Sequence, residues 1–111
     1  MRFAVLMPLT VALLCGCAAS PAPVFFGAAR QEVMLEGYRF AVYLKEGRAE
    51  VVRLGYLPRA ARDRVPALMV RAAETASGCR VRGPARGIWR SPSLPGDTGE
   101  ARFELECRAA G

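Results

Sequence analysis

The chain has 111 residues, 52% of them apolar, and carries sixteen basic against ten acidic side chains for a net charge of +6. That length accommodates one small domain. Histidine is absent, which removes Ser-His and Cys-His nucleophiles, an imidazole base and the commonest metal ligand together.

Met1 and Arg2 form a short positive end, and residues 3–14 are apolar apart from Thr10. This run is short of the ~18–20 residues that a membrane-spanning helix needs, and it has the length of a signal-peptide core. Pro8 in its middle also opposes a stable span. The run closes on Leu14-Cys15-Gly16-Cys17, and the chain then turns polar and proline-rich. This stretch resembles the lipobox of bacterial lipoproteins: Leu at −3, a small Gly at −1, then Cys17. Cys15 occupies the tolerant −2 position, whereas lipidation at Cys15 itself would put the large Leu14 at −1.

The resemblance covers residues 1–17. It implies a signal peptide over 1–16, cleavage before Cys17, diacylglycerol on the Cys17 sulfur and acylation of the new amine, with palmitate among the chains. Two or three chains make such an anchor stable. Ala18 rather than Asp at the next position implies the outer membrane, with the protein facing the periplasm. Beyond the lipobox, the arrangement looks like that of short lipoproteins of Gram-negative bacteria with no assigned function.

Arg2 is the sole charged residue of the first sixteen, so the mature chain keeps a net +5 with its amine acylated. All of its basic residues are arginine except Lys45. A basic exported protein meets anionic head groups, lipopolysaccharide or peptidoglycan rather than nucleic acid. A few net charges say little about partners, however, and Arg usage alongside abundant Ala and Gly also follows from genome base composition. With Cys15 removed and Cys17 lipidated, Cys79 and Cys107 remain in an oxidising compartment, where a disulfide is the natural pairing. Two thiols without histidine make a poor metal site.

Residues 17–30 read as the lipidated Cys and a tether, with residues 18–30 reaching ~45 Å at full extension. Val24-Phe25-Phe26 is unusually apolar for such a segment. Two roles are open to it, packing on the domain or dipping into the lipid interface. The domain itself is expected over 31–111.

From Gln31 the pattern has period two. Residues 32–35, a Glu36-Gly37 turn and residues 38–45 predict a type I′ hairpin that sets Leu35 opposite Tyr38 and Val33 opposite Phe40. Val42 and Leu44 extend that apolar face. After Glu46-Gly47-Arg48 two signals conflict. A two-residue loop puts Phe40 opposite Arg53, whereas a three-residue loop puts Phe40 opposite Leu54 and Val42 opposite Val52. The hydrophobic register predicts the latter, with a bulge or longer loop.

The basic stretch 59–64 reads as a loop or helical turn. Pro66 suits the first turn of a helix in which Val65, Leu68, Met69, Ala72, Ala73 and Ala76 share a face. Arg71, Glu74 and Thr75 face out, and Gly78 suits the end.

Residues 79–82 and 101–107 alternate again. If Cys79 lies opposite Cys107 on antiparallel neighbours, Val81 meets Leu105, Arg80 meets Glu106 and Arg82 meets Glu104. One assumption yields an apolar pair and two opposite-charge pairs, which supports both the register and the bridge. The predicted architecture is therefore α+β, a two-layer βββαββ with an antiparallel sheet, one packed helix and one disulfide.

The intervening segment 83–100 is too long for an ordinary hairpin loop. It carries Ile88 and the sole tryptophan, Trp89, between Arg86 and Arg90. Trp89 is either a docking anchor for a sugar or protein or a lid over a small core. No phosphate loop, calcium cluster or redox Cys-x-x-Cys is present. Glu104 and Glu106 form a carboxylate pair on paper, yet they read as partners of Arg82 and Arg80. The expectation is a non-catalytic envelope lipoprotein without cofactor or metal. It would be anchored to the bilayer through Cys17 and dock a protein or anionic envelope component through the 83–100 loop. The alternative is a small-ligand-binding or inhibitory module with a pocket between helix and sheet.

Overall fold

The computed structural model describes residues 21–92 and 99–107. The expected signal peptide over 1–16 and Cys17 lie outside these residues, as does the 93–98 part of the long loop. Five strands form one antiparallel sheet: β1 (Ala29–Leu35), β2 (Tyr38–Lys45), β3 (Arg48–Leu54), β4 (Arg80–Pro84) and β5 (Glu100–Glu106). Their spatial order is β1-β2-β3-β5-β4. One helix, α1 (Val65–Ser77), packs on one side, preceded by a 3-10 turn over Arg59–Arg64. This is the predicted α+β βββαββ arrangement, closed by a Cys79–Cys107 disulfide.

Helix α1 starts with Pro66 in its first turn and stops at Gly78. There a left-handed φ of 74° aims the Gly78 N–H at the Glu74 carbonyl, 2.8 Å away. Its apolar stripe of Val65, Leu68, Met69, Ala72 and Ala73 is buried against Val33, Phe40, Val42, Ala49, Val51 and Leu57. Fully burying a side chain such as Met69 or Phe40 stabilises the fold by roughly 1.5–3 kcal/mol. At the surface, Gln31 Nε2 donates to the Ala76 carbonyl at 2.9 Å. Glu36, in the β1–β2 turn, pairs with both Arg64 and Arg71.

The β1–β2 register is the predicted one, with Val33 opposite Phe40 and Leu35 opposite Tyr38. The β2–β3 register is not. Phe40 stands opposite Arg53 and Val42 opposite Val51, about a two-residue Glu46-Gly47 turn. Both turn residues have positive φ, 50° and 75°, as a type I′ hairpin requires. The apolar pattern misled because β3 is apolar at both parities. Ala49 and Val51 face the helix, while Val52 and Leu54 line a second cluster on the opposite side.

The β4–β5 pairing holds for Arg80 with Glu106 and Val81 with Leu105, then slips so that Gly83 stands opposite Glu104. Arg82 is the extra residue of this bulge and does not meet Glu104 as predicted. Two side-chain bonds flank the slip. Glu74, expected to face solvent, takes the Val81 N–H on Oε2 at 2.9 Å. Glu104 is held by Arg48 of β3, with Arg48 Nε donating to Oε2 at 3.2 Å.

Candidate functional site

The side of the sheet away from α1 is covered as well. The registers place Arg30, Tyr43, Glu50 and Arg102 in one cross-strand row, and Glu32, Ala41, Val52 and Glu100 in the next. Phe25, Ala41 and Tyr43 form a second buried cluster there, with Ala22, Val24, Ala28, Val52, Leu54 and Trp89 packed around it. The segment read as a tether supplies the cover. Pro23–Phe25 makes a 3-10 turn that buries Phe25 completely and leaves Phe26 exposed. Packing on the domain is thus the role that Phe25 takes. The segment is fastened at both ends. The Ala22 N–H donates to Glu50 Oε1 at 2.9 Å, and Lys45 Nζ donates to the Phe26 carbonyl at 2.8 Å.

Trp89 completes this cover. It ends a 3-10 turn over Gly87–Trp89 and is half-buried. Its ring meets Phe25 edge on, and the Arg48 guanidinium lies over it at 4.8 Å from the centroid. Arg102 fixes the loop from beneath. Its Nη1 donates to the carbonyls of Trp89 at 3.4 Å and Arg90 at 2.7 Å. Its Nε donates to Glu100 Oε2 at 2.7 Å and Glu50 Oε2 at 3.3 Å. Ser91 Oγ donates to Glu100 Oε1 at 2.6 Å.

Glu50 is buried, with 2% of its surface exposed. Burial foremost, and then the hydrogen bond it shares with Glu100, push its carboxyl up to about 7. The Ala22 N–H and the Arg102 charge act the other way. Burial also raises Glu100, but hydrogen bonds from Glu50, Ser91 and Arg102 outweigh it and hold Glu100 below the usual carboxylate range. The opposite shifts favour a protonated Glu50 hydrogen-bonded to an ionised Glu100 below a pH of about 7. Covered by the N-terminal segment, this pair pins the chain rather than facing a substrate.

Trp89 therefore takes the lid role, and among the loop's described residues the large apolar side chain left exposed is its neighbour Ile88, 75% exposed. Arg86 and Arg90 are exposed on either side, and Arg82 stands out on the bulge. Among the described residues no ion pair involves any of these three guanidinium groups. An open cleft of about 770 Å³ beside the loop is lined by Arg48, Arg82, Arg86, Ile88, Trp89 and Glu104 among others. Burial raises the Glu104 carboxyl, but the Arg86 N–H and the Arg48 side chain hold it lower than an ordinary carboxylate.

Sequence reasoning missed Glu50, Arg102 and Arg48: Arg102 alternates with apolar residues and so reads as solvent-facing, Arg48 falls in the expected turn, and Glu50 shares the parity of Val52 and Leu54 with no role of its own. The signal was the unbroken apolar run Phe40-Ala41-Val42-Tyr43, the pattern of a strand covered on both faces. Among the described residues, no group of three His, Cys, Asp or Glu side chains is placed to hold a metal. No helix among them is long and apolar enough to cross a membrane. No family model, curated protein or solved structure matches this chain.

Proposed function

We propose that this chain is a membrane-anchored, periplasm-facing envelope lipoprotein, held through acylated Cys17, that docks a protein or anionic envelope component without chemistry of its own. The observation that carries the docking part is the presentation of Ile88. It is exposed on a turn whose next residues are clamped by Arg102, and it is flanked by Arg86 and Arg90, neither of which has an ion-pair partner among the described residues. An apolar tip held in place beside arginines loses little conformational entropy on binding. The small-ligand alternative has less support, because the helix–sheet interface is filled by Val65, Met69, Phe40, Val42 and Val51.

The anchor is tested by growth with labelled palmitate. The wild type should take up label and sediment with membranes, while Cys17→Ser should do neither. Absence of label in the wild type would remove the lipoprotein reading. Docking is tested by a photocrosslinking residue at position 88 of the intact protein in membranes. It should trap a defined adduct, and the same residue at Thr75 on α1 should trap none. Equal trapping at both sites would refute the loop as the docking element.

A further inference from the structure

Because Ala22 is hydrogen-bonded to Glu50 and Phe25 is buried, the chain from Ala22 onward is part of the folded unit. Only residues 17–21 are left to span the distance from this point to the anchor. Five residues cover at most about 18 Å at full extension, against the ~45 Å allowed by a tether running to Arg30. Ala22 also enters the fold beside the long loop. Its partner Glu50 binds Arg102, and Arg102 binds the carbonyls of Trp89 and Arg90. Ala22, the point where the chain toward Cys17 leaves the folded unit, and the 86–90 turn therefore neighbour one another on the same sheet face.

We infer that the 86–90 turn docks on the bilayer that holds Cys17. In this arrangement Ile88 enters the head-group boundary and Arg82, Arg86 and Arg90 bind anionic lipid phosphates. The inference rests on the lipoprotein reading and names the partner within it. Three observations select a lipid surface as the occupant. The first is the short remaining chain, which holds this face near the head groups. The second is charge: three arginines without ion-pair partners among the described residues surround the tip, on a mature chain of net +5. Guanidinium groups bind phosphate oxygens through paired N–H donors and let their stems run along apolar surface. The third is the composition of the exposed surface. Ile88 is 75% exposed and Phe26 58%, and apolar tips beside basic residues are the pattern of interfacial insertion. Basic groups near an anionic leaflet are attracted within about a Debye length, ~8–10 Å, a separation that so short a connection can reach.

The acylated protein offers a clean probe, since Cys17 is a thioether and Cys79 and Cys107 are bridged. Ile88→Cys, labelled with an environment-sensitive fluorophore, is reconstituted into vesicles of phosphatidylcholine with or without phosphatidylglycerol. Thr75→Cys, on the opposite layer, is the control. The expected result is a blue shift and quenching by a head-group quencher at position 88, larger with phosphatidylglycerol, and a water-like signal at position 75. Arg86→Glu with Arg90→Glu should stay anchored and lose the shift. A position-88 probe as wet as position 75 on an anchored protein overturns the inference, as does a shift that ignores head-group charge. Protection at position 88 in native membranes but not in pure lipid also overturns it, in favour of a protein partner. Acylation is read first by mass spectrometry. Absence of acyl mass on Cys17 removes the lipoprotein reading and the inference together, an outcome distinct from an acylated protein whose loop stays wet.

Discussion

The rings of Phe25 and Trp89 meet edge to face, with centroids 5.2 Å apart and planes at 76°. The contact joins the N-terminal segment to the long loop, parts of the chain that no strand pairing connects. It makes Trp89 structural. Trp89→Ala should lower unfolding free energy by roughly 2–3 kcal/mol, below the full range for buried aromatics because the ring is not fully buried. A double-mutant cycle with Phe25→Ala should return a coupling of about 0.5–1.5 kcal/mol. Denaturant titration of the four proteins checks both. An unchanged midpoint for Trp89→Ala would restore it as a candidate docking residue.

Ile88 should behave in the opposite way. It is exposed, so Ile88→Ser should change stability by no more than about 0.5 kcal/mol. The same variant should lose most of the photocrosslinking at neighbouring position 86. A stability loss comparable to that of Trp89→Ala would place Ile88 in the core cover instead.

The protonated Glu50 beside an ionised Glu100 predicts a pH dependence. A carboxyl raised in the folded state favours folding fully below its unfolded pKa, and that contribution is lost as pH rises through about 7. Glu100, lowered, acts in the reverse sense, its contribution being lost as pH falls through its depressed pKa. Between pH 5 and pH 8 the Glu50 slope dominates. Wild type should lose roughly 1–3 kcal/mol relative to Glu50→Gln over that range. The amide can still accept the Ala22 N–H and donate to Glu100. Thermal midpoints measured against pH decide, and parallel profiles would refute the protonated Glu50.

The disulfide closes a separation of 28 residues. By loop-closure entropy it should contribute about 3–4 kcal/mol. Cys79→Ser with Cys107→Ser should lower stability by that amount, and reductant should have no further effect on the variant. Non-reducing mass spectrometry should find one intramolecular bridge in the wild type. Free thiols at both positions in protein purified without reductant would count against it.

Much of the fold was legible because it is written in local periodicity. The 3.6-residue spacing of Val65, Leu68, Met69, Ala72 and Ala73 specified α1, with Pro66 and Gly78 marking its ends. Period-two alternation about Glu36-Gly37 specified the first hairpin, because only one parity of β1 is apolar enough to face a core. Complementary pairs at Arg80–Glu106 and Val81–Leu105 specified the final ladder and its bridge.

The rest required the tertiary structure. With Val52 and Leu54 apolar beside Ala49 and Val51, alternation in β3 could not choose a face. The choice fell to the turn, whose two positive-φ residues suit the twist of the hairpin. Trp89 stood between two roles until Phe25, 64 residues earlier in the chain, was brought against it. Arg102 read as a solvated alternate and Glu50 showed no role, because a charge becomes a buried pin only when another segment covers it. Sequence by itself determined the elements, since these depend on neighbours a few residues apart. Only the folded chain decided what covers the second face of the sheet, because that depends on contacts between segments far apart in the chain.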